Sequence, residues 1–252
     1  MVYTSLTEVP RNLKEGIDWL LAVKGDDAEK NLKAMSTAIH FFLRSQPTGS
    51  TKLPALEKVK YASELFLRRQ EFRDKPLVKE LLKRFAGTKT KNPTKLAAIL
   101  ENVEECDYKN VVQAFGLTPK NITKKLGRFV GGAEKFLDDL KIPGQYESAY
   151  SSEATWDSSC AKDPEACAVV FVGIAPMLYA GLRSLKEEGG PAPVGEAPNE
   201  EKRNVADALK AVGYGEGCRG GLSRLDLQKT TNPVDSQALD VIFDLAGFWA
   251  FY

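Results

Sequence analysis

The chain has 252 residues, 43% of them hydrophobic, which suits one large domain with a substantial core and is too apolar for a disordered chain. Its 35 Lys and Arg balance 34 Asp and Glu, for a net charge of +1, so it lacks the basic excess of a nonspecific nucleic-acid binder. A single histidine and four cysteines without CxxC spacing argue against a finger-type zinc site, and neither metal nor cofactor is expected.

Helical periodicity dominates the chain. After Pro10, Leu13, Ile17, Leu20 and Leu21 share one face, and Gly25-Asp26 breaks that helix. Asp27 is placed to cap a second helix carrying Leu32, Met35, Ile39, Phe42 and Leu43, which ends before Pro47. A third helix starts after Pro54 with Leu56, Val59, Leu65 and Phe66 inward. A fourth carries Val78, Leu81, Leu82 and Phe85 and stops at Gly87. Pro93 opens a fifth, with Leu96, Ile99, Leu100 and Val103. A short sixth runs from Asp107 to Phe115 and ends at Gly116. Thr118 caps a seventh, with Pro119 at its first position and Ile122, Leu126, Phe129 and Val130 on its apolar face. Residues 133–140 add Phe136, Leu137 and Leu140, and Pro143-Gly144 ends that element.

The stretch 146–159 is aromatic and polar and fits no simple pattern. Residues 166–182 are uncharged and apolar, with Pro176 inside. Their length is at the lower limit for a membrane span, and a buried central helix is the preferred reading. Residues 189–199, rich in Gly and Pro, form the clearest loop. Val205, Leu209 and Val212 give one more helix, 213–221 is a glycine loop, and 223–229 is a short amphipathic segment. Residues 235–252, with Leu239, Ile242, Phe243, Leu245, Phe248, Trp249 and Phe251, form a helix packed on the core. No alternating strand pattern is long enough for a sheet. The expected fold is all-α, an irregular bundle of about ten helices. Its core domain spans 1–188, the loop 189–199, and C-terminal helices over 200–252 pack back on it as one unit.

Little in this pattern carries catalytic chemistry. His40 lies between Ile39 and Phe41 and reads as a core-edge residue, with no nucleophile motif nearby. The glycine pairs match neither phosphate-binding fingerprint. Adjacent carboxylates such as Asp138-Asp139 point about 100° apart on a helix and read as solvated faces. An enzyme would need several of Asp138, Glu147, Tyr150 and Asp157 to converge, and no enzymatic activity is expected. The basic run Lys75, Lys79, Lys83, Arg84, Lys89 and Lys91 reads as a solvated helix face leading into a loop. Asn121-Ile122-Thr123 is a formal glycosylation triplet inside a predicted helix.

Residues 1–11 show no basic stretch followed by an apolar one, so no cleavable signal peptide is read there. The four cysteines, Cys106, Cys160, Cys167 and Cys218, allow two disulfides or four reduced thiols. Cys160 and Cys167 flank a turn at Lys162-Asp163-Pro164 and are placed to close a small loop, but spacing leaves both readings open.

The opening Val9-Pro10-Arg11-Asn12-Leu13-Lys14-Glu15-Gly16-Ile17-Asp18-Trp19-Leu20 resembles the entry motif of the Babesia variant erythrocyte surface antigens. Residues 145–177 and the ending 244–252 resemble blocks of the same parasite multigene group. The resemblance implies a non-enzymatic antigen exported to the surface of the infected erythrocyte. It would serve antigenic variation and adhesion, with a membrane anchor outside this chain and no membrane insertion by the chain itself. Implied partners are a host cell-surface protein, endothelial or immune, or an antibody. An exported location favours the disulfide reading, with Cys160–Cys167 as the preferred pair. Variation and contact would fall on the loops 47–52, 87–92, 189–199 and 213–221. The alternative is an intracellular helical scaffold, with reduced cysteines and a peptide groove around Trp156 or Trp249.

Overall fold

The computed structural model describes residues 2–46, 53–86, 109–191, 197–215, 217–245 and 251. Among them the fold is all-α, as the periodicity predicts. Ten α-helices are α1 (Leu13–Lys24), α2 (Ala28–Ser45), α3 (Pro54–Leu67), α4 (Pro76–Ala86), α5 (Val111–Phe115), α6 (Pro119–Leu140), α7 (Pro164–Glu188), α8 (Pro198–Ala211), α9 (Arg224–Thr231) and α10 (Ser236–Leu245). A single π-helical turn, Trp156–Cys160, precedes α7. Only isolated β-bridges occur among the described residues: Tyr3 with Tyr150, Lys141 with Cys218 and Gly215 with Gly217.

The helix starts follow local chemistry. Asn12, Asp27 and Asp163 each accept a hydrogen bond from the backbone three residues on, satisfying one of the orphan N–H groups of α1, α2 and α7. Capping boxes open α5 (Asn110 with Gln113), α6 (Thr118 with Asn121) and α9 (Ser223 with Asp226). Asn121, the asparagine of the glycosylation triplet, is therefore committed to its helix cap, and its Nδ2 also donates to the Gly116 carbonyl at 3.1 Å. Gly25 and Gly116 end α1 and α5 at positive φ, where a Cβ would clash with the backbone.

Helix α7 is the axis of the molecule. It is 25 residues long and apolar enough to cross a membrane, yet its apolar window is 89% buried within the fold. It packs against α1, α2, α3, α4, α8, α9, α10 and the π-turn. A helix apolar all round is what a core of this size needs. Pro176 removes a backbone donor within α7, and in the same stretch the Ser63 hydroxyl donates to the Gly173 carbonyl at 2.6 Å. Gly173 lets α3 and α7 approach closely: a Cβ there would sit 2.3 Å from Val59 Cγ1. The C-terminal helices α9 and α10 pack back on α6 and α7, and α8 on α7.

One expectation changes and two readings are completed. Leu65 was placed inward but is 51% exposed, because α3 turns its Leu56–Val59–Phe66 stripe to α7 and Leu65 falls outside it. The segments 119–130 and 133–140 are one continuous helix: Gly132 is tolerated mid-helix because its missing Cβ lets the Pro233 carbonyl approach, at 2.6 Å from where that Cβ would be. The unassigned stretch 146–159 is an irregular strap ending in the π-turn. The predicted helix over 93–103, the loops 47–52 and 87–92, Lys89 and Lys91 of the basic run, and Trp249 lie outside the described residues.

Cys160 and Cys167 form a disulfide that ties the π-turn to the first turns of α7. Both are fully buried. The loop is short, so the cross-link limits the unfolded chain modestly, by about 2 kcal/mol. Cys160→Ser together with Cys167→Ser is expected to lower unfolding free energy by about that amount. Urea denaturation of the oxidised wild type and the double variant checks it; equal midpoints would refute the stapling role. Cys218, also proposed for pairing, makes no disulfide among the described residues, and Cys106 lies outside them.

Candidate functional site

The best-defined polar constellation is a cleft of about 620 Å³ between the C-terminal half of α1, the α1–α2 turn and the strap 146–157. Its architecture starts at the N-terminal motif. Asn12 caps α1, and its Nδ2 also donates to Glu15 Oε1 at 2.7 Å. Glu15 Oε2 accepts from the Tyr3 hydroxyl and from the Arg11 backbone, each at 2.8 Å. One turn on, Trp19 Nε1 donates to the Leu6 carbonyl at 2.8 Å. One face of α1 thus holds residues 3–11 in place.

Its other face holds the strap through Asp18, which is 2% exposed. The Tyr146 hydroxyl donates to Asp18 Oδ1 at 2.6 Å. Lys14 Nζ and the Ala149 backbone N–H donate to Oδ2 at 3.0 and 2.8 Å. Lys14 Nζ lies 4.6 Å from the Tyr146 ring centroid and donates also to the Glu147 carbonyl at 2.8 Å. The strap and the N-terminal segment then pair directly. Tyr3 N–H donates to the Ala149 carbonyl, and Ser151 N–H to the Tyr3 carbonyl. The Tyr150 hydroxyl reaches the Glu8 carbonyl at 2.7 Å, and the Tyr3 and Tyr150 rings lie 4.8 Å apart.

Both Asp18 oxygens are engaged by three donors, one of them a cation. A carboxylate so occupied holds two segments of the chain together. The same burial marks the tyrosines. Burial, then the hydrogen bond to Glu15, pushes the Tyr3 hydroxyl up to about 12. Burial first, then the Asp18 charge, raises Tyr146 further; burial also dominates the upward shifts of Tyr150 and Tyr214. A hydroxyl whose folded value lies above its ordinary 10.0 keeps its proton longer in the folded state. The corresponding stability is fully present below pH 10 and is lost as pH climbs through the folded values. Denaturant midpoints are therefore expected to hold flat from pH 8 to about 10 and fall steeply above it. A Tyr146→Phe variant should fall less steeply; identical alkaline profiles would contradict the role given to the Asp18–Tyr146 pair.

Of the four groups named for an enzyme, the cleft brings two together. Tyr150 and Asp157 both line the cleft, while Asp138 and Glu147 do not. Asp138 pairs with Lys141 at 2.7 Å, and Asp157 with Lys30 at 3.1 Å across the exposed rim. Trp156 is 4% exposed and serves as cleft wall rather than as an open peptide groove. His40 stands edge-on to the Phe41 ring at 6.0 Å, at the core edge as expected. Among the described residues no three His, Cys, Asp or Glu side chains group as a metal site. Asp18 is the residue that sequence reasoning missed. The signal was a charged side chain between Ile17 and Trp19 on an otherwise apolar helix face.

Searches for similar proteins found no matching family model, no curated relative and no solved structure of similar fold.

Proposed function

We propose that the chain is a non-enzymatic ectodomain of an exported variant surface antigen, displayed on infected erythrocytes and serving antigenic variation and adhesion to host cells. The reading starts from the resemblance of 9–20, 145–177 and 244–252 to that parasite group. The structural observation that supports it best is the Cys160–Cys167 disulfide. Such bonds persist in oxidising surroundings and are rare where thiols are kept reduced. A helical core pinned by this bond and by the Asp18 node keeps one shape while surface loops change in sequence. Of the loops nominated for contact, 213–221 comes after α8 in the chain, and 189–199 begins where α7 ends.

The test is the thiol state of the native protein. Intact infected erythrocytes are treated with a membrane-permeant alkylating agent before lysis, and peptides are mapped without reduction. A linked Cys160–Cys167 peptide is expected. Recovery of both residues alkylated would remove the main support and turn the search to an intracellular helical scaffold.

A further inference from the structure

Away from the cleft, α2 and the first turns of α6 leave an open furrow between them, with a volume of about 720 Å³. Its floor is Ala28, Leu32, Pro119 and Gly127, residues with small or compact side chains. Thr37 and Thr123 add to it. Their hydroxyls donate to the Lys33 and Pro119 carbonyls of their own helices, at 2.9 and 2.8 Å, so what they offer the furrow is methyl surface. Over Gly127 the space is empty: a Cβ there would meet nothing within 4 Å. Lining residues recur every three to four positions on both helices, so the furrow follows a helix–helix seam.

The banks are charged asymmetrically. Lys33 stands on the α2 side and Lys120 and Lys124 on the α6 side, all exposed, with Glu29 the one acidic residue at the lip. None of the three lysines makes an ion pair among the described residues, although most other charged groups near α6 do: Lys125 pairs with Asp244, Arg128 with Asp235 and Asp138 with Lys141. Unpaired cations on both sides of an apolar trough match a ligand that is apolar along one line and acidic along both flanks.

We infer that the α2–α6 furrow is a docking site for an acidic amphipathic helix of a partner protein. A helical ridge fits a seam between two helices, and the lined stretch of α2, from Ala28 to Thr37, is about 13 Å long, the length of two to three turns. Leucine-type side chains of the partner fill the floor over Gly127, and its carboxylates flank them toward Lys33 on one bank and Lys120 and Lys124 on the other. The end of the partner helix beside Glu29 is free of acid. This site does not depend on where the protein is displayed.

The test uses the purified full chain and two fluorescent synthetic peptides of about twelve residues. One carries Leu at helical i, i+3, i+4, i+7 spacing with Glu on both flanks; the other has every Glu replaced by Lys. Anisotropy titration is expected to show binding of the acidic peptide at least about tenfold tighter than of the basic one, weakening as salt rises. Gly127→Leu fills the furrow at a position with open space, so the protein stays folded, and binding should drop about tenfold or more. K33E/K120E/K124E should invert the preference between the peptides. Equal affinity for both peptides, no binding to the wild type, or undiminished binding to Gly127→Leu would each overturn the assignment. So would sedimentation of the chain with phosphatidylserine–phosphatidylcholine vesicles in the absence of peptide binding, which would give the lysines to a membrane surface.

Discussion

Asp18→Ala is expected to lower the unfolding free energy by about 3–4 kcal/mol, the largest loss for any single polar side chain among the described residues. The substitution removes the acceptor for the Tyr146 hydroxyl, the Ala149 N–H and the Lys14 ammonium at once. Ala149 N–H is buried and loses its side-chain acceptor, while the half-buried Tyr146 hydroxyl is left to the water of the cleft. Lys14 keeps the Glu147 carbonyl and partial solvent contact, so its loss is smaller. For a chain of this length the melting temperature should fall by about 10 °C. Asp18→Asn retains one carbonyl acceptor and should cost roughly half as much. Tyr146→Phe, which removes one donor, should cost about 1 kcal/mol. Differential scanning calorimetry on the three variants orders them, and an Asp18→Ala loss below about 1 kcal/mol would show that the node is not what fastens the strap.

Gly173→Ala and Gly127→Ala are expected to change stability in opposite directions although both glycines are helical. At Gly173 the added Cβ would lie 2.3 Å from Val59 Cγ1 and 2.5 Å from Val59 Cβ. Val59 is β-branched and buried, so it has no free rotamer into which to retreat. Helices α3 and α7 must part instead, stretching the Ser63 hydroxyl away from the Gly173 carbonyl. The overpacking cost exceeds the gain in helix propensity, for a net loss of about 2 kcal/mol. At Gly127 nothing lies within 4 Å, and alanine gains about 0.5–1 kcal/mol from propensity and the unfolded chain. Urea unfolding of the pair gives the sign directly. Two variants that shift alike would contradict a close α3–α7 contact at Gly173.

The helices were legible because their signals are local. Asp27 before α2 and Thr118-Pro119 before α6 announce themselves within four residues, and the apolar spacing of Leu13, Ile17 and Leu20 reads directly as one buried face. The central helix was legible from composition, since an uncharged apolar stretch interrupted by Pro176 in a balanced chain is best buried by the rest of the protein. What could not be read was set by distant partners. Asp18 meets Ala149 across 131 positions of sequence, and its place between Ile17 and Trp19 marks it as unusual without saying which distant segment it holds. Leu65 looked inward by spacing, and only the direction from which α7 approaches α3 leaves it exposed. Nor did the sequence around Gly132 reveal that the Pro233 carbonyl would take the space its Cβ would need.

The N-terminal motif takes on a definite physical meaning. Asn12 caps α1, Glu15 gathers Tyr3 and Arg11, and Trp19 and Asp18 each clamp a remote segment. Gly16 lies against Leu178 of α7, with its Cβ position 2.7 Å from Leu178 Cδ2. Asn12, Glu15, Gly16, Asp18 and Trp19 of that motif are thus all engaged in assembling the scaffold.

Surface display is tested most directly on living cells. Antibodies raised against the folded chain are applied to intact infected erythrocytes before and after mild trypsin. A surface antigen gives staining on unpermeabilised cells that trypsin removes. Staining that appears only after permeabilisation, and survives trypsin, would contradict display and place the protein inside the cell.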